Sequence, residues 1–132
     1  MIIEQLSIFL NNAVGRLAEV TTLLGTKNIN LKAFTLSESS DFGLLRIVTD
    51  DNTRAYDSLK EAGFAISSSR VVFIDMSDDK PGTLSKIMKR LSEEGISVEY
   101  MYAFSTGRGA HVVIRTDDIE RCNRIVSHKE LL

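Results

Sequence analysis

The sequence predicts an α+β fold in which one small βαββαβ sandwich occurs twice in tandem, and two observations carry that expectation. The first is a repeat. The turn-and-helix run at 11–24, NNAVGRLAEVTTLL, recurs at 78–91, DDKPGTLSKIMKRL. The shift of 67 residues (82 − 15) that places Gly15 on Gly82 also places Leu17 on Leu84, Leu24 on Leu91, Ile29 on Ile96 and Thr49-Asp50-Asp51 on Thr116-Asp117-Asp118, with no gap. A repeat of this length is too long for a short-period solenoid and suits two copies of one module. The second observation is that apolar period two gives way to period 3.6 and back within each copy, in the order βαββα.

The first copy is read as follows. In residues 4–10, Leu6, Ile8 and Leu10 lie on one side of a strand and Phe9 on the other. From Val14 onward, Leu17, Val20, Thr21 and Leu24 fall at i, i+3, i+4 and i+7, the stripe of an amphipathic helix. That helix is expected to stop at Lys27-Asn28, because Asn tolerates the left-handed backbone of a C-terminal stop and Gly95 stands at the repeat position. Residues 29–38 and 42–49 read as two strands of a hairpin turned at Ser39-Ser40-Asp41. Asp50-Asp51-Asn52 offers capping chemistry to a helix carrying Ala55, Leu59 and Ala62 and closed by Gly63. Residues 64–66 then start a short strand, and after three serines the apolar run 71–74 opens the second copy.

In the second copy Leu84, Ile87, Met88 and Leu91 repeat the helical stripe, and Pro81 presets the backbone just ahead of it. A hairpin of 96–104 and 110–116 follows, then a helix capped by Asp117 or Asp118 with Ile119, Cys122, Ile125 and Val126 inward. Only Leu131 and Leu132 remain to answer 64–66, so the second copy is expected to lack most of its last strand, and something else is expected to cover that edge. The expected domains are 1–69 and 70–132. Each is a ferredoxin-like sandwich, two helices on one face of an antiparallel sheet. Val71-Val72-Phe73-Ile74 and Leu44-Leu45 put apolar residues on both sides of the pleat, which predicts sheet-to-sheet packing or oligomerisation on the other face.

Composition narrows the function classes. A half of this size buries only about 60% of its unfolded surface, so each half is expected to need the other. Hydrophobic content of 43% and charged content of 26% suit a soluble globular protein, and no apolar run is long enough for a membrane span. The start MIIEQLSIFL has no basic leader and carries Glu4, so it reads as a strand, with a cytoplasmic location expected. Cys122 is the single cysteine, which excludes an internal disulfide or thiol pair. A net charge of −2 gives no footprint for nucleic acid.

With the repeat and the element order in place, the sequence resembles the ACT domain family of small-molecule regulatory modules, as a tandem pair over nearly the whole chain. The residues that carry the resemblance are a strand, a polar turn, a glycine and an apolar helix: Phe9-Leu10-Asn11-Asn12-Ala13-Val14-Gly15-Arg16-Leu17, and Asp75-Met76-Ser77-Asp78-Asp79-Lys80-Pro81-Gly82-Thr83-Leu84. The second is the fuller match. The first has Asn in place of Asp and Val14 in the Pro slot, so the two turns are expected to differ. The resemblance implies amino-acid binding where such a turn meets the start of the second strand of a neighbouring module, here Asn30-Leu31 and Ser97-Val98, and control of a partner enzyme.

The turns support that chemistry on physical grounds as well. A helix N-terminus presents unpaired N–H groups and the positive end of the dipole, so a carboxylate could dock on the amides around Ala13 to Leu17 or Pro81 to Leu84, although Pro81 itself contributes no donor. Asn11, Asn12, Asp78 and Asp79 could accept hydrogen bonds from an α-ammonium group. Capping and turn formation alone are the simpler role for all these residues.

Other candidates point elsewhere. His111 and His128 are too far apart in the pattern for a paired metal site. Asp50-Asp51 and Asp117-Asp118 precede helices and read as caps, not general acid–base pairs. Gly107-Arg108-Gly109 reads as a hairpin tip, and the Tyr100, Tyr102, Phe104 stripe as packing surface. No cofactor, metal or catalytic residue is expected. The expected function is a non-enzymatic amino-acid-binding regulator, a homodimer bringing four modules together. The alternatives are a regulatory subunit of a metabolic enzyme with degenerate ligand sites, or a small enzyme on the same sandwich.

Overall fold

The computed structural model describes residues 1–11, 13–38, 41–76, 80–106 and 109–127. Its elements run β1 (Ile2–Asn11), α1 (Arg16–Thr26), β2 (Leu31–Glu38), β3 (Phe42–Thr49), α2 (Asn52–Glu61), β4 (Ala65–Met76), α3 (Thr83–Glu93), β5 (Val98–Thr106), β6 (Gly109–Thr116) and α4 (Ile119–Val126). The chain divides into two compact units, Glu4–Ser69 and Arg70–Leu132, the second also holding Met1–Ile3. The α+β sandwich pattern occurs in both.

In the first unit the strands lie in the order β2-β3-β1-β4. Antiparallel pairing sets Leu6 opposite Ile47 and Ile8 opposite Leu45, so these side chains share the face covered by α1 and α2. There they pack with Val20, Leu24, Ala55 and Leu59, all buried. The second unit repeats the scheme, with β4, β6 and β5 side by side and Ile74, Val112 and Ile114 packed against Ile87, Leu91 and Cys122.

The punctuation of the helices repeats as the sequence predicts. Asn28 and Gly95 both adopt positive φ, at 58° and 71°. The next amides, of Ile29 and Ile96, each close a 2.9 Å bond back to Leu24 and Leu91. Asp51 and Asp118 cap α2 and α4 by accepting from the amides of Arg54 and Arg121.

Four expectations are corrected. Residues 64–66 do not form a separate short strand: β4 is continuous from Ala65 to Met76, because the intervening serines neither break the pleat nor remove an N–H as Pro would. The helical stripe is narrower than its spacing suggests. Leu17 and Leu84, in the first turns of α1 and α3, are each 40% exposed, and Thr21 is exposed with its hydroxyl bonded to the Leu17 carbonyl. Ala62 is exposed as well, being the C-cap of α2.

The fourth correction concerns the gapless repeat. Ile8 pairs with Leu45 and Ile74 with Val112, so the first strands are related by 66 (74 − 8) and their partners by 67 (112 − 45). Four residues separate Leu10 from Gly15, but five separate Met76 from Gly82. The turn bonds Arg16 N–H to Ala13 O and Thr83 N–H to Lys80 O keep the shift of 67, which confines the extra residue to the stretch between Met76 and Lys80.

Among the described residues no strand follows α4, and Leu131 and Leu132 lie outside them. The edge of β4 in the second unit is met instead by Met1–Ile3. The Phe73 N–H donates to the Met1 carbonyl at 2.8 Å, and the Met1 ammonium donates to the Phe73 carbonyl at 3.0 Å.

Candidate ligand-binding turns

The two turns share one backbone device. Gly15 and Gly82, the residues immediately before α1 and α3, have φ of 92° and 94°, which side chains with a Cβ rarely adopt. A Cβ built on either would meet nothing within 4 Å, so it is the backbone angle and not crowding that calls for glycine. The N-cap residue of each helix is this glycine, which has no side chain to cap with. Helix N–H groups are normally met by a capping side chain or by another acceptor, and in α2 and α4 the N-cap aspartates are that acceptor.

The described turn residues lie at the surface. Ala13, Val14, Gly15 and Leu17 are exposed in the first unit, as are Lys80, Pro81, Gly82 and Leu84 in the second, while Arg16 and Thr83 are half-buried. Asn11 ends β1, and its carbonyl accepts the Ala13 N–H at 2.8 Å. Asn12, Asp78 and Asp79 lie outside the described residues, as do His128 and the Gly107-Arg108 tip.

Arg16 and Thr83 separate the two turns chemically. The Arg16 guanidinium lies 2.7 Å from the Glu19 carboxylate and 4.4 Å from the centroid of the Phe64 ring, a held cation in the first helical turn. Thr83 puts a neutral side chain at the matching position.

The second-strand residues are held by a contact that the sequence reading folded into capping. Asp50 Oδ1 accepts the Asn30 N–H, and Asp117 Oδ1 accepts the Ser97 N–H, both at 3.0 Å. The carboxylates of each Asp-Asp pair thus divide their work: the second caps a helix and the first ties down the start of β2 or β5. The recurrence of Thr-Asp-Asp at the shift of 67 was the available signal.

Within one unit the turn and the second-strand start do not meet. Asn11 pairs with Phe42 at one end of β3, whereas Leu31 pairs with Thr49 at the other. Seven steps of strand separate them, about 24 Å. In the second unit Met76 lies opposite Ala110 and Val98 opposite Thr116, with the same result.

The remaining candidates are packing features. His111 sits between Phe73 and Phe104, with ring centroids 5.2 Å away in each case, and its Nδ1 is 3.5 Å from Asp75 Oδ1. Burial pushes the Cys122 thiol up, against the pull of a hydrogen bond with Thr116. Among the described residues no group of three or more His, Cys, Asp or Glu could hold a metal ion, and no helix is long and apolar enough to cross a membrane.

Comparison with known proteins agrees with this anatomy. A family model described as an ACT domain pair matches residues 1–132. The crystal structure of protein BT0572 from Bacteroides thetaiotaomicron is similar at 42% identity, with a TM-score of 0.90 over 98% of this chain and 90% of that one. Two regulatory subunits of aspartate kinase share the fold. That of Thermus thermophilus, in its ligand-free form, has 14% identity and a TM-score of 0.64 over 96% of this chain and 93% of its own. That of Thermus flavus has 16% identity and a TM-score of 0.61 over 96% and 94%. No functionally curated protein matches the sequence. The repeat, the paired βαββα units and the glycine turns ahead of α1 and α3 all lie inside the matched span, and the chain belongs to the ACT domain family as an ACT domain pair.

Proposed function

We propose that the chain is a non-enzymatic regulator that binds a small amino acid between modules of a homodimer. The observation that carries this reading is the pair of helix N-termini whose N-cap residue is a left-handed glycine, at matching places in both units. Their N–H groups and the positive end of the helix dipole suit a carboxylate. Because the end of the strand that leads into each turn lies roughly 20–24 Å from the second-strand start of its own unit, a ligand touching both needs a neighbouring module. Phe34 and Leu36, 66% and 50% exposed on the edge strand β2, support association through that edge.

Regulation follows if the ligand binds one arrangement of modules better than another, for only unequal affinity shifts an equilibrium. The regulated partner in this reading is a metabolic enzyme. The kinship in fold with regulatory subunits of aspartate kinase accords with such a role.

The two turns are expected to bind unequally. The second is one residue longer, offers Asp78 and Asp79 and is stiffened by Pro81, and a charge-assisted bond to an ammonium is roughly twice as strong as a neutral one. Asp79→Ala should weaken binding about ten- to a hundredfold, and Asn12→Ala less.

The experiment is a thermal-shift screen of the standard amino acids, followed by calorimetry of the best ligand on the wild type and on both variants, each first checked for unchanged stability without ligand. Binding at the turns is refuted if no amino acid raises the melting temperature. If Asp79→Ala binds like the wild type while Asn12→Ala abolishes binding, the stronger site is the first turn.

A further inference from the structure

We propose that the first unit holds a binding site for a small solute bearing a guanidinium group, in a cavity between the start of β1 and the first turns of α2. The cavity has a volume of about 250 Å³, and the carboxylates of Glu4 and Asp57 line it with no basic side chain beside them. Glu4 is in phase with Leu6 and Ile8, so it lies on the face of β1 that the helices cover. Asn52 fixes that geometry. Its Nδ2 donates to the Glu4 carbonyl at 2.8 Å, while its Oδ1 accepts from the Thr49 N–H at 3.0 Å and the Thr49 hydroxyl at 2.8 Å. The bases of α2 are engaged elsewhere: Arg54 with the Lys27 carbonyl and Asp51, and Lys60 over the Tyr56 ring, 5.6 Å from its centroid.

The second unit fills the same place with its own guanidinium. The first strands are related by 66 and the second helices by 67, so Arg70 stands where the first unit has Glu4 (70 − 4) and Glu120 where it has Thr53 (120 − 53). Arg70 donates to the Glu120 carboxylate, a bond that holds the Glu120 carboxyl below its usual range. Strand and helix are thus joined there by a guanidinium on a carboxylate. In the first unit both sides offer oxygen acceptors, and the space between them is the cavity. Asp57 continues the reversal, because Arg124 is its counterpart (124 − 57).

The lining suits that group. A guanidinium is planar, stays charged and presents its N–H donors in a fixed fork that matches a carboxylate bidentately. The hydroxyls of Thr53 and Ser68 accept further donors, and Leu6 and Tyr56 give a short aliphatic stem an apolar wall. The volume lies just under the roughly 300–1,000 Å³ of sites for drug-sized ligands, which favours a small solute. The cavity lies at the start of β1 and the glycine turn follows its end, so the proposal does not rest on the amino-acid reading.

The test is titration of the full chain with agmatine, a guanidinium solute with no carboxylate to dock on the helix N-termini, followed by calorimetry and by amide NMR shifts. Binding should move the signals of residues 4–6, 52–57 and 68 and leave those of 13–17 and 80–84 in place. Both carboxylates belong to exposed residues, so Glu4→Gln and Asp57→Asn should each weaken binding about twofold to fivefold, and the two together should abolish it. Putrescine, the same chain with an ammonium in place of the guanidinium, should bind severalfold more weakly. Glu4→Arg with Thr53→Glu installs the second unit's pair in the first and should also abolish binding, with circular dichroism confirming the fold; if that exchange does not fold, the Gln and Asn variants decide alone. No saturable binding of agmatine, shifts confined to the turns, putrescine binding equally well, or unchanged affinity in the Glu4→Gln, Asp57→Asn double variant each overturns the proposal. So does a capped arginine peptide that binds more tightly than agmatine, the sign that the cavity receives a side chain of a partner protein and not a solute.

Discussion

Gly15 and Gly82 show how one backbone angle can matter more than the space around it. Both lie at positive φ in open surroundings, so alanine there meets no clash and suffers only the conformational penalty. Gly15→Ala and Gly82→Ala should each lower stability by about 1–2 kcal/mol, read as a shift in urea midpoint. Gly25 is the control: it is helical, with equally open space, and Gly25→Ala should raise stability by about 0.4–1 kcal/mol. Equal effects at all three sites would show that the φ values are not what holds these glycines. Cys122 gives a second test at this scale. Fully buried in the second core, with its thiol pushed up by that burial, it should react with a thiol reagent at pH 8 only as fast as the protein opens. Full labelling within the dead time, under native conditions, would contradict its burial.

At the scale of elements, the helices test how far a periodic stripe predicts a core. Leu24 and Leu91 are buried to 1%, whereas Leu17 and Leu84 on the same stripe are 40% exposed. Leu24→Ala and Leu91→Ala should therefore cost about 2–5 kcal/mol, the cavity-forming range, while Leu17→Ala and Leu84→Ala should cost well under half of that. Denaturant midpoints on the four variants check the contrast. The same comparison shows what was legible. Periodicity gave the phase of each helix correctly, and the Asn28 and Gly95 stops, the Asp51 and Asp118 caps and the order of elements all followed from local chemistry. Where the stripe runs off the core depends on how far the sheet extends beneath the helix, a tertiary fact with no local signature. The one-residue difference between the turns was hidden for a related reason. Sequence alignment locked onto glycines and leucines at a shift of 67, and β1 and β4 both remain apolar when slid by one, so only the cross-strand register exposes it.

At the scale of the whole molecule, the repeat made two units expected, but not the strand that completes the second. Nothing in the pattern of residues 1–3 distinguishes a strand serving its own copy from one that also serves the other. The bonds between Met1 and Phe73 and the packing of Ile2 against the second core carry that information. Ile2→Asp should therefore weaken the second unit more than the first. Hydrogen exchange should speed up across residues 71–76 and 110–116 while residues 42–49 keep their protection. Faster exchange confined to 42–49 would assign Ile2 to the wrong unit. The candidate site was legible at both of its halves, the turns and the second-strand starts. That the halves lie at opposite ends of a unit emerges only from strand register.

That borrowed strand also orders events in time. During synthesis Met1 must wait for a partner 72 positions later in the chain. The first unit can assemble as soon as it has emerged, because the strands it pairs, β1 with β3 included, lie within residues 4–69. The second must recruit a segment whose continuation is already built into the first unit. Contacts between such distant positions form slowly, so refolding should show the first unit's strands protected before those of the second, and anything that occupies the first three residues should delay only the later step.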